Sequence, residues 1–236
     1  MKRDNWIGFL PFYLLVVIIT LGIGLGGGKA VTVLKENTSV IREHTLIIDA
    51  GHGGIDGGAT SCTGVLESAV NLEIALRLDD VMHLLGYKTV MIRTTDRSIY
   101  TSGTTIAAQK VSDLRERVRI VNETNGGVLI SIHQNTFFDS RYGGAQVFYA
   151  GNEDSKELAS ALQKKWITTL NPDSHRSAKK GEGIYLLQNI TKPGILVECG
   201  FLSNPKEEAL LRDADYQKKM CCIIAATVSG FLTDGD

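Results

Sequence analysis

The sequence predicts an α/β fold, a single-domain sandwich in which a mixed, mostly parallel central sheet is flanked by helices. Short apolar runs typical of buried strands alternate along the chain with segments in which apolar residues recur every three or four positions. The 236 residues are too few for two full domains once an apolar N-terminal segment is set apart. Hydrophobic residues make up 43% and charged residues 22% of the chain, which is ordinary globular composition.

Residues 1–28 predict a membrane anchor or a signal sequence. Lys2 and Arg3 precede an uncharged, largely apolar stretch over residues 5–28, which is long enough to cross a bilayer. Basic residues on that flank favour a cytoplasmic N-terminus, so the rest of the chain would be exported. The small residues that end the stretch leave a cleaved signal as the alternative, and we favour the uncleaved anchor. Residues 29–44 predict a linker, and residues 45–234 the folded domain.

The first half of the folded domain predicts two strands and two helices. Residues 45–49 contain three consecutive aliphatic residues and predict a buried strand that ends before Gly51. Apolar residues spaced by three and four predict a helix over 69–85, which Gly86 would close as a cap. The next elements predicted are a strand over 89–92, a loop over 96–105 and an amphipathic helix over 107–121.

The second half predicts four more strands and two more helices. Strands are predicted over residues 128–132, 145–149, 183–187 and 195–197, because each is a short run of apolar residues with few polar interruptions. Helices are predicted over residues 155–170 and 216–231, and the second of these has its apolar residues on one face.

Polar residues follow three of the predicted strands. His52 follows the strand over 45–49, His133 follows the strand over 128–132, and Glu198 follows the strand over 195–197. In open α/β sheets, sites form in the crevice outside the carboxyl ends of the strands. Glu67, just before the first helix, can reach the same edge. The sequence therefore predicts a functional site at this edge of the sheet.

Two histidines and one glutamate would satisfy a catalytic zinc ion, which takes imidazole and carboxylate ligands and keeps a fourth position open to water. The candidates are scattered along the chain, however, and no HExxH helix fixes two of them on one face. Spacing alone leaves an ordinary alternative for each residue. A histidine near glycines can be purely structural, and Glu67 can simply favour the positive end of the helix that follows it.

The glycine-rich segment over residues 51–58 does not predict a nucleotide site. No Lys-Ser or Lys-Thr pair completes a Walker loop, and no helix opens directly after the glycines. These glycines instead indicate a close approach of the backbone to a metal or a substrate. The formal net charge of -1 supplies no positive field, so we expect no nucleic-acid partner.

The four cysteines match neither a metal knuckle nor a disulfide framework. Cys221 and Cys222 are adjacent on a predicted helix and point in different directions, so at most one can join a given site. We expect incidental thiols, with Cys199 as a small buried residue beside Glu198.

Four segments carry the candidate residues in order along the chain. They are DAGHGG at residues 49–54, Glu67 ahead of NLEIALRL at 71–78, SIHQN at 131–135 and VECGFLSN at 197–204. Together they resemble the motifs of the zinc N-acetylmuramoyl-L-alanine amidases of the Amidase_3 type, over about residues 45–232. The resemblance is nearest to the CwlD-type amidases of endospore formers, because the chain is short, lacks wall-binding repeats and contains GIYLLQNITKPG at 183–194.

The resemblance implies that His52, Glu67 and His133 are zinc ligands and that Glu198 is the catalytic carboxylate. The implied reaction hydrolyses the amide between the lactyl group of N-acetylmuramic acid and the L-alanine of the peptidoglycan stem peptide. In this chemistry the carboxylate takes a proton from water and delivers it to the leaving amine. In endospore formers, the resemblance implies that a second enzyme then converts the bare muramic acid to the muramic-δ-lactam of the spore cortex.

Residues near the implied site would have supporting roles. Asp49 or Asn135 would orient a ligand imidazole, since a ligating histidine usually donates its other ring N–H to an oxygen. Arg176, Lys179 and Lys180 form a basic cluster that would either meet stem-peptide carboxylates or form a solvated loop, and we favour the loop.

Two alternative functions compete with the amidase. A zinc peptidoglycan endopeptidase or carboxypeptidase would use the same metal to cut between amino acids. A catalytically silent peptidoglycan-binding or regulatory module would be expected to have lost Glu198 or a ligand, and this chain keeps all four residues. The expected location is the extracytoplasmic face of the envelope around the forespore or cortex.

The expected partners are peptidoglycan, the membrane through residues 1–28, and an accessory protein that regulates activity. The short segment between Gln134 and Gly144 leaves little room for a long self-inhibitory helix, so a separate partner is the more natural means of control.

Overall fold

The computed structural model describes residues 44–234, in which six strands and six helices follow one another. The strands are β1 (Thr45–Ala50), β2 (Lys88–Met91), β3 (Gly127–Asn135), β4 (Gln146–Tyr149), β5 (Lys179–Lys180) and β6 (Gly194–Phe201). The helices are α1 (Glu67–Leu84), α2 (Ile106–Glu123), α3 (Glu153–Leu170), α4 (Tyr185–Asn189), α5 (Pro205–Leu211) and α6 (Ala214–Asp234). None of these six helices is long and apolar enough to span a lipid bilayer. The predicted segment over 1–28 and the linker, apart from His44, lie outside the described residues.

The six strands form one sheet in the order β2-β1-β3-β6-β4-β5. β1 pairs in parallel with β2 and β3, and β3 pairs in parallel with β6. β4 runs antiparallel to β6, and β5 runs parallel to β4. The sheet is therefore mixed and mostly parallel, and the predicted fold class is confirmed.

Helices cover both faces of the sheet, because the central strands are apolar on both faces. Ile47, Leu129 and Leu196, from three neighbouring strands, form one cluster with buried residues of α2 and α4. Successive residues of a strand point to opposite faces, so the equally buried Ile48 and Ile130 face the other layer. That layer contains α1, α3 and α6, which pack against one another.

Helix α1 begins and ends at positions that matter for the site. It starts at Glu67, two residues earlier than predicted, which puts this carboxylate in the first turn, beside the sheet. The predicted glycine cap is confirmed: Gly86 has φ +84°, its N–H donates to His83 O, and the N–H of Tyr87 donates to Met82 O. This pair of hydrogen bonds satisfies carbonyls that the helix end leaves free.

The predicted strand over 183–187 is wrong, because this segment contains the short helix α4. Leu186 and Leu187 are consecutive and both buried on the same side of the sheet, which a helix allows and an alternating strand does not. The sheet position beside β4 is occupied instead by Lys179 and Lys180. Two exposed lysines have no hydrophobic periodicity, so β5 was not predicted, and neither was the short helix α5.

Candidate active site

Three side chains with metal-binding atoms meet at the carboxyl ends of β1 and β3. His52 lies two residues beyond β1, Glu67 begins α1, and His133 lies in β3. One ligand atom from each residue lies within 4.8 Å of the other two. The structure therefore brings together the three residues that the sequence picked out as ligands.

Glu67 lies between the two imidazoles. Its Oε2 is 3.3 Å from His52 Nε2, and its Oε1 is 3.1 Å from His133 Nδ1. The backbone N–H groups of Ala59 and Gln134 donate to the same carboxylate at 2.9 and 3.1 Å. Burial disfavours the charge on Glu67, but the hydrogen bonds with the two imidazoles outweigh it and hold the pKa of Glu67 well below its usual range. This carboxylate is therefore ionised.

Asp56 fixes the orientation of His52. Its Oδ2 lies 2.8 Å from His52 Nδ1, and its Oδ1 accepts a hydrogen bond from Lys110 Nζ at 2.7 Å. Nε2 of His52 is thereby left facing Glu67. Burial lowers the pKa of His52, but Glu67 and Asp56 outweigh burial and raise this pKa to about 9. The negative charge that holds a proton at this position would equally attract a metal cation.

The prediction that Asp49 or Asn135 orients a ligand imidazole is wrong. Asp49 accepts a hydrogen bond from Ser131 Oγ at 2.7 Å and pairs with the buried Arg117. Asn135 uses its Oδ1 to accept the N–H of Thr136 at 2.8 Å. Because these side chains hydrogen-bond to other partners, the carboxylate that orients His52 comes instead from Asp56 in the glycine-rich segment.

Two buried arginines hold the backbone that carries His52. Arg117 donates to His52 O at 2.7 Å, and Arg93 donates to Ala50 O at 2.7 Å and to Gly51 O at 3.0 Å. These bonds support His52 in the left-handed region at φ 62°, which is costly for a residue with a side chain. Arg117 is one of three arginines in the predicted helix over 107–121, and nothing in the sequence distinguishes it as the one that is buried.

Two glycines give the site its tight packing. A Cβ on Gly51 would lie 2.2 Å from His133 Nε2, and a Cβ on Gly58 would lie 2.5 Å from Glu67 Oε2. Gly58 also has φ +68°, a conformation that glycine adopts without strain. The backbone therefore approaches the candidate ligands closely, and the expected approach to a metal or a substrate stays a prediction.

Glu198 lies beside the cluster on the neighbouring strand. Strands β3 and β6 extend further than predicted, so His133 and Glu198 lie within them rather than past their ends, and they are paired in register. Adjacent strands are about 4.8 Å apart, and paired residues point to the same face. Within residues 44–234, Glu198 Oε2 is buried and has no hydrogen-bond partner.

The environment of Glu198 brings the pKa of its carboxyl group close to neutral pH. Burial is the largest influence and raises the pKa of Glu198 to about 7, with His133 opposing the shift and the charge of Glu67 adding to it. A carboxyl group with such a pKa can both accept and release a proton near neutral pH. Cys199, the next residue, is buried, and burial raises the pKa of its thiol well above the usual range. It therefore lacks the thiolate that a cysteine nucleophile needs.

Comparison with known proteins gives one consistent result. The family model Amidase_3, described as N-acetylmuramoyl-L-alanine amidase, matches residues 46–229. The germination-specific N-acetylmuramoyl-L-alanine amidase of Bacillus subtilis (strain 168) is 38% identical over 191 residues, which are 80% of this chain and 80% of the relative.

Solved structures agree with the sequence relatives. The CwlD amidase from Clostridioides difficile, solved in complex with the GerS lipoprotein, is 36% identical, has a TM-score of 0.77, and aligns over 80% of this chain and 98% of its own. An N-acetylmuramoyl-L-alanine amidase from Clostridium difficile 630 is 30% identical with a TM-score of 0.70, and the alignment covers 80% of this chain and 97% of that one.

Proposed function

Because the chain belongs to the Amidase_3 family of N-acetylmuramoyl-L-alanine amidases, we propose that its active site is a zinc centre held by His52, Glu67 and His133, with Glu198 as the catalytic carboxylate. The reaction of the family is hydrolysis of the amide between the muramic acid lactyl group and the L-alanine of the peptidoglycan stem peptide. One observation supports the proposed centre most strongly: three clustered ligand atoms lie beside a buried carboxylate oxygen that has no hydrogen-bond partner among residues 44–234.

The residues present fit a zinc ion. Two imidazoles and one carboxylate are the donor set that catalytic zinc sites use, and three protein ligands leave one position for water or substrate. Glu67 is ionised, and Asp56 stands behind His52 as the oxygen partner that zinc-bound histidines usually have. When bound, zinc supplies a Lewis acid that polarises the scissile carbonyl and acidifies water.

Glu198 performs the proton transfers in the proposed mechanism. Its carboxylate accepts a proton from the attacking water, and the same carboxyl group then gives that proton to the leaving nitrogen. The amide C–N bond breaks and a C–O bond forms. The products are a lactyl carboxylate on the glycan strand and a stem peptide with a free L-alanine amine.

The proposed setting is the spore cortex. The relative from Bacillus subtilis is named as germination-specific, and the CwlD amidase is among the similar structures. The amidase product, a muramic acid without peptide, is the substrate that muramic-δ-lactam formation requires. The proposal includes export across the membrane, with residues 1–28 as an anchor or signal.

An accessory protein is also part of the proposal. The CwlD amidase was solved in complex with the GerS lipoprotein, so a partner of this chain is a reasonable expectation. Weak zinc retention by the purified chain, restored by a co-expressed envelope lipoprotein, would support it. Tight zinc binding and full activity of the chain alone would count against it.

Product analysis tests the proposed function. The full chain is incubated with purified peptidoglycan and zinc beside Glu198→Gln, which keeps the shape of the side chain and removes its acid–base function. Intact stem peptides with a free L-alanine amine are expected from the natural chain. The variant is expected to be about 100-fold slower or worse, with unchanged zinc content. Peptides cut between amino acids would instead indicate an endopeptidase or carboxypeptidase. No products at all would indicate either a missing accessory protein or a silent module.

A further inference from the structure

A cavity of about 760 Å³ opens beside β4, and its lining residues lie between Arg141 and Lys179 along the chain. Three of its lining residues are cationic, Arg141, Arg176 and Lys179, whereas Asp173 is the acidic residue among them. We refer to this cavity, lined by residues of 141–146 and 170–179, as the basic cavity. Its excess of positive charge makes it suited to an anion.

The basic cavity begins one strand away from the catalytic carboxylate. Gln146 lines the cavity and is paired with Glu198 across β4 and β6. The guanidinium carbon of Arg176 lies 5.4 Å from the centre of the Phe201 ring, three residues beyond Glu198. Since β6 lies between β3 and β4, the cavity is on the side of Glu198 that faces away from His133.

Arg176 is held in place but lacks a charge partner. Its Nη2 donates to Gly143 O at 3.1 Å, and its guanidinium is stacked on Phe201. It forms no ion pair with any of residues 44–234, whereas Arg141 is paired with Asp139. A half-buried, oriented guanidinium with free donors is a receptor for a carboxylate, which it can bind through two parallel hydrogen bonds.

Gln146 contributes a second unsatisfied group at this place. Its side chain is 2% exposed and its Nε2 donates to Ser177 O at 2.7 Å, but its Oε1 has no hydrogen-bond partner within the described residues. A buried acceptor without a donor costs free energy, and a rotation of the Gln146 amide that opened Oε1 to the cavity would let an N–H group of a bound peptide relieve that cost.

The proposed proton transfer gives the substrate a direction. Glu198 delivers a proton to the leaving nitrogen, so the amine side of the scissile bond must lie next to β6. The stem peptide extends from that nitrogen. It therefore runs from Glu198 toward β4 and the basic cavity, while the glycan strand lies on the side of His52 and His133.

We propose that the basic cavity binds a free carboxylate of the stem peptide, with Arg176 as the receiving residue and Lys179 as a second positive charge. This inference rests on the proposed function and makes the cavity a determinant of specificity for acidic over amidated stem peptides. Lys180 is excluded, because successive strand residues point to opposite sides and Lys180 lines a different cavity. The three-residue basic cluster expected from the sequence is thus divided between two surfaces.

Two synthetic substrates test the proposal. Both carry N-acetylmuramic acid and the same stem peptide, and they differ only in a carboxylate or a carboxamide on the second residue. The full chain is expected to show a kcat/KM about tenfold higher or more for the carboxylate substrate. Arg176→Gln is expected to bring this ratio close to one, and Lys179→Gln to lower it. Lys180→Gln, the matched control from the same strand, is expected to keep both the ratio and the activity.

Two results would overturn the proposal: no preference in the natural chain, or an equal loss on both substrates in Arg176→Gln, which would indicate a structural role. If neither substrate is cleaved, either the proposed function fails or a required accessory protein is missing, and calorimetry then tests the cavity independently of activity. The carboxylate and carboxamide forms of the free stem tripeptide are then titrated into Glu198→Gln with and without Arg176→Gln. Tighter binding of the carboxylate form that depends on Arg176 supports the proposal, and equal binding refutes it.

Discussion

Gly51 leaves the space that the His133 imidazole occupies. A Cβ at this position would lie 2.2 Å from Nε2 and 2.3 Å from Cε1 of the ring, so Gly51→Ala must displace the ring or the loop. We expect the affinity for zinc to fall about tenfold or more, because displacement of a ligand ring is at least as harmful as loss of its supporting hydrogen bond. Competition with a chromophoric chelator measures this affinity.

Gly151→Ala is the matched control for Gly51→Ala. A Cβ on Gly151 would meet nothing within 4 Å, so the zinc affinity of this variant is expected to equal that of the natural chain. If Gly51→Ala also binds zinc normally, His133 is not needed at its present position, and the ligand assignment is in error.

At the residue level, the sequence identified the side chains that the structure brings together but not their supports. His52, His133 and Glu198 follow predicted strands and Glu67 precedes a predicted helix, and this placement indicated one sheet edge. The role of Asp56 could not be predicted in the same way. Asp49 is even nearer to His52 along the chain, and only the packing of Arg117 shows which of the two carboxylates is already engaged.

Arg117 connects α2 to β1 beneath the site. It is 2% exposed and pairs with Asp49, which is 1% exposed, and with Asp113 at 2.7 Å. Arg117→Gln leaves the carboxylate of Asp49 buried without its charge partner. We expect the free energy of unfolding at pH 7 to fall by about 3 to 5 kcal/mol. Urea denaturation followed by circular dichroism measures the change.

The effect of Arg117→Gln should depend on pH. In the natural chain burial disfavours the charge of Asp49, but Arg117 outweighs burial and lowers the pKa of Asp49, so the ionised carboxylate stabilises the fold above the unfolded pKa of about 3.9. In the variant, burial acts without Arg117 and raises that pKa, so ionisation destabilises the fold. The stability difference between the two chains is therefore expected to be largest near neutral pH and to shrink as the pH falls toward 4.

Arg119→Gln provides the comparison on the same helix. Arg119 is exposed and its ion pairs with Glu116 and Glu123 are at the surface, so the urea midpoint is expected to stay unchanged. A pH-independent loss in Arg117→Gln would show that the neutral hydrogen bonds of Arg117 matter more than its charge.

Among the elements, long periodic segments were predicted well and short ones were not. Helices α1, α2, α3 and α6 each run for at least 18 residues, and hydrophobic periodicity over such a length predicts a helix clearly. The five residues of α4 were taken for a strand, because Leu186 and Leu187 are apolar in either conformation. The packing of helix α2 against this segment determines the outcome, because only the helical conformation buries both leucines against it.

At the scale of the whole molecule, the fold of the metal-free protein should persist. Glu67 is held by the N–H groups of Ala59 and Gln134, and His52 is held by Asp56, so the site does not depend on an ion for its shape. Removal of zinc with a chelator is expected to leave the far-ultraviolet circular dichroism unchanged. At a free zinc concentration about 100 times Kd, binding should add about 2.7 kcal/mol and raise Tm by roughly 5–10 °C. Differential scanning calorimetry with and without zinc measures this shift.

Replacement of a proposed ligand controls for zinc bound elsewhere. Glu67→Gln removes the charge at the centre of the cluster, so its Tm is expected to be insensitive to zinc. A zinc-dependent Tm in this variant would place the stabilising ion at another site, and collapse of the metal-free natural chain would contradict the preformed site.

Among the strands of residues 44–234, the one that is synthesised last lies near the middle of the sheet. β6 pairs on one side with β3 and on the other with β4, although both precede it along the chain. Until residues 194–201 emerge from the ribosome, β3 and β4 each have an unpaired edge, and the carboxylate of Glu198 does not yet exist. Such long-range pairing also forms slowly. The order of synthesis therefore delays assembly of the proposed catalytic site until residues 194–201 have been made.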